Sequence, residues 1–95
     1  MLKKRVFSQK AVVWVYPGLG GWHFVTLDKK ISAEIRAKYK TGFVKIEATV
    51  GKTGWLTSLF PHKLSGAYLL CIKASVRKVE GIFAGEEVKF SVRFL

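Results

Sequence analysis

Lys73 and Arg77 stand four residues apart in the segment KASVRKVEG. On a helix, that spacing puts both cations on one face. Arg77 can then offer its planar fork to a phosphate or carboxylate, with Lys73 beside it as a point charge. Trp22 and Trp55 offer flat apolar faces on which a base or ring can stack. Thr57 and Ser58 carry hydroxyls on the two sides of one strand. These six residues form a candidate ligand-binding set for an anion. Each also has a structural reading. The tryptophans can fill a core, and the two cations can neutralise helix C-terminal carbonyls or pair with Glu80 or Glu86.

No catalytic set accompanies them. Two histidines, His23 and His62, and one cysteine, Cys71, match no metal-ligand spacing. His23 sits beside Trp22 in a predicted strand and reads as a hydrogen-bonded structural histidine; His62 reads as a solvated loop residue and Cys71 as a small buried hydrophobe. Ser58 lacks the base and orienting acid that a nucleophile needs. The glycines of PGLGG lie between two predicted strands and open no helix, so they are no phosphate loop. Glu86 and Glu87 are adjacent on a strand and point to opposite sides. The sequence assigns no catalytic residue, cofactor or metal. An enzyme acting on a small substrate inside the fold stays as a third reading without a named residue.

The chain has 17 basic and 6 acidic residues among 95, a net charge of +11. Such an excess favours polyanions, and nucleic acid or an anionic small molecule is the first expected partner. A second reading is a structural or protein-interaction module that docks an acidic protein or a second copy of itself. The charge is spread along the chain, so a field that merely aids solubility is the bland alternative. No run approaches the roughly 18 apolar residues of a membrane helix, and no membrane partner is expected. The basic start followed by AVVWVY is short, β-branched and broken by Pro17-Gly18, so it reads as a strand. The single cysteine fits a reducing compartment, and a cytoplasmic location is expected.

The elements that must position these residues are mostly strands. Period-2 runs dominate, and one domain over residues 1–95 is expected. VFSQKAVVWVY is apolar on both faces and predicts a first strand covered on both sides. WHFVTL follows the glycine turn. Residues 28–40 shift to a period near four, with Ile31, Ile35 and Tyr39 on one side, which predicts an amphipathic helix capped by Asp28 or Ser32 and ended at Gly42. FVKIEATV, GKTG and WLTSLF read as a hairpin over 43–60 that Pro61 stops. AYLLCI is a strand buried on both faces. A short helix runs from Ser75, its expected N-cap, to Gly81, its expected left-handed cap, with Val76 and Val79 inward. EVKFSVRF alternates strictly. The expected fold is mainly β: a small closed or nearly closed six-stranded β-barrel with two short helices, because closure removes edges that a small sheet cannot cover.

GGWHFVTL, GKTGWLTSLFP and YLLCIKASVRKVEGIFAGEEVKFSV, in that order, resemble the bacterial and archaeal domain-of-unknown-function family nineteen-oh-five. The likeness runs from about Val6 to Phe94. Its most specific pieces are Trp22 to Val25, Trp55 to Ser58, and Lys73 and Arg77 followed by Gly81-Ile82 and Gly85. The resemblance implies a small β-barrel and no assigned activity. The family pattern has Gly-Asp before the last strand, where this chain has Gly85-Glu86. An aspartate there would cap a turn through its short side chain, a task for which glutamate is less suited.

Overall fold

The computed structural model describes residues 6–39 and 42–95. Its strands are β1 (Val6–Val12), β2 (Trp14–Val15), β3 (His23–Thr26), β4 (Val44–Val50), β5 (Thr53–His62), β6 (Ala67–Cys71) and β7 (Glu87–Phe94). Helix α1 spans Lys29–Tyr39 and helix α2 spans Ala74–Glu80. The described residues are mainly β, with two α-helices. All pairings are antiparallel, in the order β1-β7-β4-β5-β6-β3-β2. Among the described residues the sheet is an open half-barrel of seven strands, which corrects the expected closed or nearly closed barrel of six.

The extra strand arises at Val13. Its N–H donates to Glu86 O and its carbonyl accepts from Gly85 N, which takes it out of the strand ladders. The run 6–16 therefore splits: β1 pairs with β7, and β2 pairs with β3. Beyond that split, a side chain bridges β1 and β3. Gln9 Nε2 donates to Thr26 O at 3.0 Å, and Gln9 Oε1 accepts from Asp28 N at 2.9 Å. The expectation that this run is covered on both faces fails as well, because Val12 and Val15 are exposed.

Alternation sets the two faces of the sheet. Val44, Ile46, Ala48 and Val50 of β4 point inward with Trp55 and Leu59 of β5, Leu70 of β6, Val25 of β3, and Phe90, Val92 and Phe94 of β7. Strand β5 belongs to both halves. It pairs with β4 up to Leu59 and with β6 from Phe60, so it continues through Pro61 instead of stopping there. β4 has ended by that point and asks no ladder hydrogen bond of the proline.

Helix α1 packs across β6. Ile35 is buried, and Asp28 caps the helix by accepting from Lys30 N at 2.7 Å. Ser32, the other cap candidate, is fully buried, and its hydroxyl accepts from Tyr68 N at 3.0 Å. Its removal orphans a buried backbone N–H, so Ser32→Ala is expected to cost about 1–3 kcal/mol in a denaturant titration. Tyr39 is the last described helical residue, and the stretch before the expected stop at Gly42 lies outside the described residues. Among the described residues, no helix is long and apolar enough to cross a membrane.

Candidate functional site

A cleft of about 320 Å³ opens where β3 begins and β6 ends. One wall is the turn Gly20-Gly21 with Trp22 and His23; the other is Cys71, Ile72 and the start of α2, with Lys73 and Arg77. Ile72 N donates to His23 O at 2.9 Å and ties the walls together. α2 follows at once. Its N-cap is Lys73, with no side-chain capping bond, and not the expected Ser75. Val76 is buried and anchors the helix, whereas Val79, expected inward, is 73% exposed. Gly81 closes the helix in the left-handed conformation, at φ 67, as its position implied.

Arg77 is held from two sides. Its Nε donates to Ile72 O at 3.0 Å, and its Nη1 lies 3.3 Å from His23 Nε2. His23 Nδ1 in turn lies 2.7 Å from Gly21 O, which can only accept. The proton of the neutral ring therefore sits on Nδ1, and Nε2 receives the Arg77 N–H. This chain of bonds fixes the plane of the guanidinium. Among the described residues no carboxylate pairs with Arg77; the ion pair present joins Arg93 to Glu47 at 2.7 Å. The two acids considered as partners are engaged elsewhere. Glu80 accepts from Thr53 Oγ1 at 2.6 Å and from Lys52 N. Glu86 accepts from Phe83 N at 2.8 Å, so its longer side chain does cap the turn before β7.

Cys71 faces the same cleft. Burial pushes its thiol above the ordinary value of 9.0, and the nearby Arg77 guanidinium offsets part of that rise. At neutral pH the group is a thiol, the weakly nucleophilic form. Alkylation by iodoacetamide is expected to be slower than for a free thiol, with a rate that keeps rising at alkaline pH after a free thiol has levelled off. Arg77→Ala removes the offsetting charge and is expected to push that midpoint higher. A rate profile that coincides with free cysteine would contradict the burial argument.

The six sequence-derived candidates separate. Trp22, Lys73 and Arg77 meet in the cleft. Trp22 is 49% exposed there, and its ring also packs against Phe24 and Phe60, each 6.1 Å between centroids. Trp55 points into the core at 8% exposure, so its indole has no free face to stack on. Thr57 and Ser58 lie half-buried in the middle of β5, opposite Ile46 and Lys45, and line no part of the cleft. The sequence reading missed His23 as the group that positions Arg77, because the two are 54 residues apart. Among the described residues, no three His, Cys, Asp or Glu side chains gather as a metal set would.

No curated protein matches the chain. The family model described as Domain of unknown function (DUF1905) matches residues 10–92, a span that holds the cleft and every strand at least in part. The chain belongs to that family.

Proposed function

We propose that this protein is a non-catalytic binding module for an anionic ligand, a nucleic acid or a phosphorylated small molecule, held in the cleft between Trp22 and Arg77. The observation that supports the reading is Arg77 itself. Its guanidinium is oriented by a backbone carbonyl and an imidazole, it has no carboxylate partner among the described residues, and Lys73 stands on the same cleft. Ordering an arginine fork in advance removes part of the entropy that binding would otherwise cost. A +11 chain adds long-range attraction for the same class of ligand. The lone free cysteine fits a reducing compartment, and we place the protein in the cytoplasm on that ground.

Calorimetric titration with pyrophosphate tests the reading. Arg77→Ala together with Lys73→Ala is expected to weaken binding by about ten- to a hundredfold, in line with about 1.5–3 kcal/mol for hydrogen bonds to charged groups. The double variant should also flatten the dependence on salt. An affinity unchanged by both substitutions would remove the cleft as the site.

A further inference from the structure

The outer face of the sheet carries a ridge of aromatic rings that the core does not use. Register places Phe24 opposite Cys71 and Trp14, Phe60 opposite Leu69, and Lys45 opposite Ser58, all on the side away from the core. Phe43, two residues before Lys45, joins them by stacking on Phe60 at 4.8 Å and 14°. From Phe60 the ridge runs to Trp22 at 6.1 Å, from Trp22 to Phe24 at 6.1 Å, and from Phe24 to Tyr16 at 5.9 Å. Exposed and covered rings alternate along it: Phe43 is 67% exposed, Trp22 49% and Tyr16 44%, with Phe60 and Phe24 between them.

Some of this is structural. Phe24 and Leu69 point outward and are nevertheless buried, so rings such as Trp14 and Phe60 cover them. Phe43 has no such task. It rests on Phe60 and leaves most of its ring open. A scattered exposed aromatic is ordinary, but a contiguous row of them marks a contact surface.

Charge says what kind of contact. Trp22 is both the end of the cleft that holds Lys73 and Arg77 and a member of the ridge. At Phe43, the neighbouring outward residue is Lys45. Cations therefore stand at both ends of the row of rings from Trp22 to Phe43. A groove that attracts backbone phosphates beside rings that accept bases is the arrangement that holds single strands, whereas a duplex keeps its bases stacked inside.

We infer that the outer aromatic ridge binds single-stranded nucleic acid, with bases stacked on Trp22 and Phe43 and phosphates at Arg77, Lys73 and Lys45. The inference rests on the anion-binding reading of the cleft and extends it to the ligand class. The row between Trp22 and Phe43 accommodates about two or three bases, the number an aromatic sheet surface commonly stacks.

The experiment compares three fluorescein-labelled probes of equal length by anisotropy at near-physiological salt: a mixed-sequence single strand, an abasic strand with the same phosphates, and a duplex. The single strand is expected to bind about tenfold or more tighter than the abasic strand and tighter than the duplex. Phe43→Ala, and independently Trp22→Leu, should erase most of the preference for bases while leaving abasic binding nearly intact. Phe43 is 67% exposed and Trp22 49%, so the variants should stay folded, and circular dichroism checks this. Equal affinity for base-bearing and abasic strands, or a preference for duplex, would overturn the inference. The anion reading survives that outcome if Arg77→Ala still weakens the abasic strand, and it falls as well if Arg77→Ala changes neither strand.

Discussion

Trp55→Ala is expected to lower the stability of this protein by about 3–5 kcal/mol, the range for deletion of a large buried aromatic. Trp55 lies opposite Ala48 on the inner face of the β4–β5 hairpin and joins the buried cluster with Val44, Ile46, Leu59 and Val76. An alanine there leaves a cavity bounded by strands on which other strands depend, so it cannot collapse freely. A chain of this size holds only about 5–15 kcal/mol in total, which makes the loss a large fraction. Denaturant titration should show the midpoint falling with little change in slope. Trp22→Ala serves as the contrast: its ring is half in solvent, and the loss should be clearly smaller. Equal losses for the two tryptophans would mean that the core is wrongly drawn.

Gly51→Ala ranks second, at about 2–4 kcal/mol from two separable causes. Gly51 turns the β4–β5 hairpin at φ 58, a left-handed conformation that costs a residue with a Cβ about 1–2 kcal/mol. The added methyl would also run into the Glu80 carboxylate, which reaches over the turn to accept from Lys52 N and Thr53 Oγ1. Displacing Glu80 forfeits hydrogen bonds to a charged group, each worth about 1.5–3 kcal/mol when well formed and less at this partly solvated position. A double-mutant cycle separates the causes. In a Glu80→Ala background the steric part is already gone, so Gly51→Ala should cost only the backbone strain. Full additivity would show that Glu80 does not hold the turn.

The hairpin was legible because three signals agree there: strict alternation in FVKIEATV, a glycine turn of fixed length, and polar residues on one face only. The hairpin forms as expected, but its turn is shorter than GKTG: Thr53 and Gly54 already belong to β5 and pair with Val50 and Thr49. The helices were legible in extent for the same reason, and Asp28 and Gly81 cap them as expected, but the N-cap of α2 was not legible. Ser75 has the right side chain for an N-cap, yet the chain leaves β6 so abruptly that Lys73 takes the position. Splitting of the first strand could not be read at all, because Val13 bonds to Gly85 and Glu86 at the other end of the sequence. In the cleft, charge and spacing pointed to Lys73 and Arg77, whereas the imidazole that orients Arg77 arrives from a distant strand and leaves no local trace. Trp22 and Trp55 look alike in sequence, each opening a strand; only the register separates the one that lines a surface from the one that fills the core. The ridge had one local signal: alternation that sends Val44 inward sends Phe43 to the solvent side, where an aromatic has no packing reason to be.

Folding kinetics follow from the strand order. β4 and β5 are joined by Gly51 and Lys52 alone, so they can meet early, whereas Val6 must find Arg93 across nearly the whole chain. Long-range pairing of that kind is slow, because loop entropy is lost before any contact offsets it. The hairpin is therefore the natural nucleus, and the seam between β1 and β7 zips late. On a ribosome the delay is sharper still. β1 emerges before the other described elements and β7, its ladder partner among the described residues, emerges after them, so β1 waits unpaired while the strands and helices between are made. The inward rings of Phe90 and Phe94 complete the core only when β7 has appeared.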